Sequence, residues 1–565
     1  MKKSSSRSLD RRKLLADPIL LLTIIAIASF LILFIAYPLF SLLQESVYNN
    51  NRISLDAFTR VLGLASFRGV ISNTLLLGLL SGLISTLIGF LFAYVDTYVR
   101  VRFKKLFKVI AILPVVSPPF VLSLSLILLF GRSGIITRGF LGIYDSNVHG
   151  LHGILIVQVL TFFPICYLIL RSLLKNIDPS LEEAVRNMGA SRWKAFTTVT
   201  LPLLLPGLGN AFLVTFIESV TDFANPMMIG GNFNVLATSI FLQVTGAFDV
   251  TGAAAMAVIL LSISVGLFIL QKYWLERKSY ATLTGKASRE RMMIEDKSVA
   301  IPLFSICAII TVGIIVMYAM IPFGAMFRLW GRDYSLVLDH FRMVFNMGGL
   351  RHFTDSLRMS AIAAPTTALM AMIIAYLIVK RKFFGKSFIE FISIFAMAVP
   401  GTVLGIGFIR AFNSGIMDTG VLAITGTGII IIIAFITRSL PVGVRSGVAA
   451  LRQIDRSIEE SAYDMGAGSL KVFTSVTLPL IKDSFFSGLV TSFVRSITAT
   501  SAVVFLISPR HQLITPQIMA QAEIGRFGVA SAYATIMIVI VYGSILLMNL
   551  FLKFFGVSRT VGEVD

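Results

Sequence analysis

Three ionisable residues interrupt long apolar runs and are the first candidates for chemistry: Glu218 and Asp222 in FLVTFIESVTDFANP, and Arg495 in GLVTSFVRSITATS. A charge at the centre of a membrane helix costs about 2.5–3.5 kcal/mol on insertion scales, so such residues face a path or a partner. Glu218 and Arg495 lie 277 residues apart, and the same interval separates two polar stretches, IDPSLEEAVRNMGASRWKAFTTVTLP at 177–202 and IDRSIEESAYDMGAGSLKVFTSVTLP at 454–479. The chain is therefore a tandem duplication, with intramembrane charges of opposite sign at one repeat position. A pseudo-twofold axis would set Glu218 opposite Arg495, as an ion pair in one conformational state. Asp222, one helical turn beyond Glu218, either lines the same path or caps the helix end before Asn225-Pro226. Other chemistry is not indicated. All five histidines, His149, His152, His340, His352 and His511, fall in segments between apolar runs or at their outer ends, and their spacing is not that of a metal site. Cys166 and Cys307 sit inside apolar runs and form no disulfide framework. No metal site and no nucleophile–base constellation is expected.

The elements that position these residues follow from composition. The 565 residues are 56% hydrophobic and only 14% charged, with a mean hydropathy of +0.86. Soluble domains carry about 25% charge, so this is a polytopic membrane protein. Crossing about 30 Å of hydrocarbon as helix takes about 20 apolar residues. Twelve runs qualify, near 18–40, 70–95, 107–130, 151–173, 206–229, 250–275, 299–322, 356–379, 388–410, 420–437, 484–507 and 528–554. The fold expected is all-α, with about twelve spans in two homologous six-helix halves. The first run is too long for the core of a cleaved signal peptide and reads as an uncleaved span. Basic residues concentrate in alternate connections, which places both termini and both polar stretches in the cytoplasm. The net charge of +20 is then a topology signal and a contact with anionic lipid rather than a mark of nucleic-acid binding.

Each half begins with a span upstream of the best-matching repeat. The division expected is 1–70 for the N-terminus, first span and outer loop, 71–272 for the first core, and 273–298 for a polar linker. Residues 299–353 form span 7 and its outer loop, 354–552 the second core, and 553–565 the tail. Six spans per half give parallel repeats about an axis along the membrane normal.

The repeated polar stretch reads as two short helices joined at glycine. Asp178 can cap a helix opened by Pro179, Glu182 and Glu183 follow in its first turns, Gly189 can end it, and Ser191 can cap the next. Asp455, Gly466 and Gly468 take those roles in the second copy, with Arg456 in place of the proline.

These stretches resemble the EAA motif of binding-protein-dependent ABC importer permeases, whose pattern is E-A-A, three residues, G, nine residues, I-x-L-P. The first copy has Glu183-Ala184-Val185, Gly189 and Val199-Thr200-Leu201-Pro202; the second has Glu460-Ser461-Ala462, Gly466 and Val476-Thr477-Leu478-Pro479. The departures, Val185, Ser461 and valine for isoleucine, are small or apolar. The resemblance, to two fused type I permease domains, covers 71–272 and 354–552. It implies that Glu183, Ala184, Gly189, Pro202, Glu460, Ser461, Gly466 and Pro479 form coupling loops seated on two copies of a cytoplasmic ATPase. It also implies that a binding protein delivers a small solute from outside. No G-x-x-x-x-G-K-[S/T] stretch is present, so ATP and its Mg would belong to the partner, and this chain is expected to be no enzyme and to hold no cofactor. The fused plan and the segment DFANPMMIGGNFNVLATSIFLQ resemble ferric iron permeases most, in a bacterial inner membrane; thiamine and aminophosphonate permeases share the plan. An ion-coupled secondary transporter is the competing class, and it has no use for matched cytoplasmic loops.

Overall fold

A computed structural model describes residues 18–49, 52–100, 104–275, 293–294, 296–416 and 419–554. The expected basic N-terminus, most of the linker and most of the tail lie outside the described residues. Half one runs α1 (Pro18–Val47), a hairpin β1–β2 (Tyr48–Asn49, Arg52–Ile53), α2 (Asp56–Gly63), α3 (Ala65–Tyr98), α4 (Lys104–Val116) and α5 (Val121–Phe140). It continues with α6 (Leu151–Asn176), α7 (Pro179–Asn187), α8 (Arg192–Thr221), α9 (Ala224–Ile229), α10 (Leu236–Thr245) and α11 (Val250–Tyr273). Half two repeats the order with α12 (Lys297–Met326), hairpin β3–β4 (Phe327–Leu329, Asp333–Leu336), α13 (Asp339–Asn346), α14 (Gly349–Lys380), α15 (Lys386–Phe395) and α16 (Gly401–Phe412). Then come α17 (Gly428–Arg452), α18 (Arg456–Asp464), α19 (Leu470–Leu480), α20 (Lys482–Ile497), α21 (Ile514–Glu523) and α22 (Phe527–Phe554).

The duplication reaches further upstream than the sequence match. α1 and α12 are both 30 residues long, each is followed by an antiparallel hairpin, and α2 and α13 are both eight residues long. The first span of each half is therefore part of the repeated unit. Its sequence drifts because lipid-facing positions demand only apolarity. These first spans also cross over. Ile27, Leu31 and Ile35 of α1 pack with Ala371 and Ile374 of α14 and Leu440 and Val444 of α17, in half two. Cys307 and Ile314 of α12 pack with Phe92, Phe107 and Phe163 in half one, and Ser125 of α5 donates to the Met317 carbonyl. Each half thus packs its first helix against the other as well as its own, which ties the two into one bundle.

Among the described residues, ten helices are long and apolar enough to span a membrane. Two of the twelve expected runs hold no helix of that length. The run near 388–410 is α15 and α16, broken at Ala396–Pro400, and the run near 484–507 is α20 ending in turns after Ile497. Proline has no N–H to donate and disfavours helical backbone at its predecessor; at Val399-Pro400 the chain has left α15, and Pro400 stands as the cap of α16. Ser117-Pro118-Pro119 breaks the run near 107–130 in the same way, into α4 and α5. Such breaks survive at membrane depth where other groups satisfy the freed carbonyls: the Val399 oxygen accepts from Arg438 Nη1 at 2.8 Å.

The long helices approach closely at small residues. A Cβ added at Gly89 of α3 would collide with the Cys166 Cβ and lie 2.8 Å from the Tyr167 backbone nitrogen on α6. Gly89→Val should lower the unfolding temperature in detergent by several degrees, a loss of about 1–3 kcal/mol by overpacking. Gly63→Ala, where a Cβ meets nothing within 4 Å, should leave it unchanged; equal shifts would refute the packing account.

Candidate functional site: two hinged loops and the charged residues between the halves

The polar repeat folds as two hinged loops of one geometry. Asp178 accepts from the Ser180 N–H at 2.9 Å and Pro179 opens α7. Gly189, at φ +88°, ends it, and Ser191 Oγ accepts from the Lys194 N–H at 3.2 Å to start α8. In half two Asp455 accepts from the Ser457 N–H at 3.0 Å and Gly466 stands at φ +82°. Left-handed backbone of this kind suits glycine. Beyond each hinge the chain makes one wide helical turn, Phe196–Thr200 and Phe473–Thr477, closed by Leu201 N–H to the Phe196 carbonyl and Leu478 N–H to the Phe473 carbonyl. The cause is the Leu-Pro that follows: Pro202 and Pro479 cannot donate to the carbonyl four residues back, and the helix widens around the missing bond.

Of the expected coupling residues, Glu183 is half-buried, Ser461 donates to the Ser457 carbonyl at 2.8 Å, and Ala184, Gly189, Pro202, Glu460, Gly466 and Pro479 are exposed. The preceding glutamate, which motif reasoning passed over, anchors each loop. Glu182 Oε1 accepts from the Tyr98 hydroxyl at the end of α3 and from Thr200 Oγ1. Glu459 Oε1 accepts from Thr477 Oγ1 at 2.9 Å, and its Oε2 lies 3.3 Å from Lys380 Nζ at the end of α14, with both side chains under 10% exposed. Thr200 and Thr477 are repeat partners, and so are Tyr98 and Lys380, so each loop is tied by one carboxylate to the helix that opens its core. Tyr94 and Phe196 meet edge-on at 5.8 Å, as do Tyr376 and Phe473 at 5.0 Å, reinforcing the same joint. Half one adds a buried carboxylate: Asp96 sits among Arg171, Lys104, Lys108 and the Tyr167 hydroxyl, binding α3, α4 and α6.

Facing outward from the joints is a matched apolar trio. Leu181, Met188 and Trp193 are exposed on the first loop, and Ile458, Met465 and Leu470 at the equivalent places on the second; Met188 and Met465 are 78% and 82% exposed. Large apolar side chains left in water at repeat positions mark a contact surface.

On the candidate path the three sequence-selected residues separate. No ion pair joins Glu218 to Arg495; both lie instead within electrostatic reach of Arg438 on α17. The direct pairing expected across the axis is thus absent from this conformation. Asp222 closes α8 and caps α9: Oδ1 accepts from the Ala224 N–H at 3.1 Å, and Oδ2 from Gln158 Nε2 at 3.0 Å and Asn225 Nδ2 at 2.9 Å. Ser219 and Ser123 extend this network through Gln158 and Asn225. Gln158, Asn225 and Arg438 carried no sequence signal beyond being polar in apolar surroundings. Among the described residues no group of His, Cys, Asp and Glu is arranged to hold a metal ion.

Two repeats with crossed first spans, and a matched hinged loop from each, are the build of a membrane permease. Comparison with known proteins agrees. The family model described as binding-protein-dependent transport system inner membrane component matches twice, at 85–280 and 367–557, and the chain belongs to that family. Among curated relatives, the ferric transport system permease protein FbpB of Actinobacillus pleuropneumoniae is 36% identical over 94% of this chain and 78% of its own length. Putative ferric transport system permease protein FbpB 1 of Haemophilus influenzae is 36% identical over 87% of this chain and 78% of its own. A solved bacterial ABC transporter involved in the import of alginate aligns with 48% of this chain and 98% of its own at a TM-score of 0.41 and 19% identity. The chain is thus a multi-pass inner-membrane permease of an ABC importer.

The two loop anchors differ in kind, and so should the cost of cutting them. Glu459→Ala strands the buried Lys380 cation and should destabilise by about 3–5 kcal/mol. Glu182→Ala leaves a neutral phenol and should cost about 1–3 kcal/mol. Lys380→Met with Glu459→Leu should recover most of the loss. Thermal unfolding of the purified chain checks the order; a double variant no better than Glu459→Ala would rule out the ion pair as the anchor.

Proposed function

We propose that this chain is the permease subunit of an ATP-driven importer of ferric iron. A binding protein delivers the solute on the outer face, and two copies of a cytoplasmic ATPase supply ATP hydrolysis with its Mg. The chain itself carries no catalytic step and no cofactor. Both termini lie in the cytoplasm, and the partners are proteins and the lipid bilayer, not nucleic acid.

The observation that carries this reading is the pair of joints at equivalent positions of the two repeats. Each loop presents exposed apolar side chains outward and is anchored inward, through Glu182 or Glu459, to the first helix of its core. A partner that moves the loops together therefore moves α3 and α14 directly, and a symmetric ATPase dimer fits two equivalent seats. Glu183, Ala184, Gly189 and Pro202, with Glu460, Ser461, Gly466 and Pro479, form the coupling surface in this reading, and Glu218, Asp222 and Arg495 mark the path. Iron as cargo is supported by the two ferric transport relatives, which match nearly the whole chain.

Reconstituted with its ATPase and loaded binding protein, the chain should take up radioactive iron only when ATP is present. Met188→Asp with Met465→Asp should abolish copurification of the ATPase and reduce uptake at least about tenfold, a loss of about 1.4 kcal/mol or more in coupling. Uptake of thiamine or an aminophosphonate in place of iron would overturn the cargo assignment. Undiminished association in the double variant would overturn the docking assignment.

A further inference from the structure

The two halves bring opposite charge to the path. In half two, Arg438 of α17 and Arg495 of α20 line a cavity of about 150 Å³ together with Thr498 and Ser501. The repeat-equivalent positions in half one are Thr161, Glu218, Thr221 and Ala224. A volume of that size holds several waters at about 30 Å³ each, or one small polyatomic ion.

Few groups in the protein answer these guanidiniums. Arg438 gives one N–H to the Val399 carbonyl at 2.8 Å, which anchors it at the break before Pro400. Arg495 is exposed, with no acceptor or ion pair among the described residues. Glu218 is the carboxylate within electrostatic reach of Arg438, so the three groups sum to one positive charge. A guanidinium offers five donors in a planar fork that matches a carboxylate or phosphate edge. Two such forks on one cavity, with hydroxyls from Thr498 and Ser501 beside them, match a small oxyanion and oppose a bare cation.

We propose that Arg438 and Arg495 form an oxyanion site on the translocation path, taking a phosphate- or carboxylate-bearing anion that accompanies the cargo. A ferric ion would then cross as an anion complex rather than as a free trivalent cation. Glu218 tunes the site by opposing the anion, which favours release. This rests on reading Glu218 and Arg495 as path residues.

The full chain in detergent should bind radiolabelled inorganic phosphate saturably, at one site per chain, with a dissociation constant at or below about 1 mM. Arg438→Gln and Arg495→Gln should each weaken binding about tenfold or more, citrate should compete, and Glu218→Gln should tighten binding. No saturable binding by the unaltered chain, or affinity unchanged from the unaltered chain in both arginine variants, overturns the site. Should either arginine variant fail to fold, Glu218→Gln decides: affinity unchanged or weakened overturns the charge account. Displacement of phosphate by phosphatidylglycerol added to the micelles would identify a lipid headgroup as the ligand and overturn the cargo-anion role. Iron uptake in proteoliposomes separates the two readings. Absent uptake with phosphate bound sinks the iron importer alone, and uptake without phosphate binding sinks the anion site alone.

Discussion

The structure depends on two carboxylates held where the hinged loops meet the bundle. A carboxylate taken from water must be met by donors or a cation, or the fold loses several kcal/mol. Glu182 is met by Tyr98 and Thr200, and Glu459 by Lys380 and Thr477. Because those donors sit on the opening core helix and on the wide turn after the hinge, satisfying one carboxylate fixes the angle between a loop and the bundle. The glycine hinges and the proline-widened turns leave freedom on either side of the joint while the joint itself stays closed. Force applied to the exposed apolar trio thus reaches α3 and α14 rather than dissipating in a loose connection.

Crossed first spans give that force a whole-molecule consequence. With α1 buried against half two and α12 against half one, neither half can rotate without carrying part of the other. At the far end of α1, Glu45 reinforces the exchange by pairing with Arg410 of α16 at 2.7 Å while accepting from Thr251 of α11. The duplication is thus symmetric in its backbone and asymmetric in its chemistry. One loop is tied by a phenol and the other by an ammonium, and the acidic Glu218 has the basic Arg495 as its repeat partner.

Much of this was legible in the residues. Apolar runs located the long helices, the 277-residue interval located the loops, and Asp178, Pro179, Gly189 and Ser191 marked the caps because capping is local chemistry written over four or five positions. The anchors were not legible. Glu182 and Glu459 look like ordinary acidic residues in a first helical turn, and their partners Tyr98 and Lys380 are about 80 residues upstream and chemically unlike, so comparing the repeats does not flag them. Hydropathy also ran through Pro118-Pro119 and Val399-Pro400, since an apolar run does not report where its backbone breaks. The first spans escaped the repeat match because packing against lipid and a swapped partner constrains length more than identity. Arg438 was passed over since its repeat partner, Thr161, is uncharged, and only the folded bundle brings it near Glu218 and Arg495.

The central claim is that the two carboxylate joints transmit loop movement to the bundle. Spin labels at Met188→Cys and Met465→Cys would report the separation of the loops, and at Leu79→Cys and Leu357→Cys, exposed on α3 and α14, the separation of the core helices. Cys166 and Cys307 are buried. In the complex with its ATPase, adding ATP should change both separations together, and Glu182→Ala with Glu459→Ala should leave the loop change while abolishing the helix change. Helices that still move with the loops once both carboxylates are gone would contradict the account.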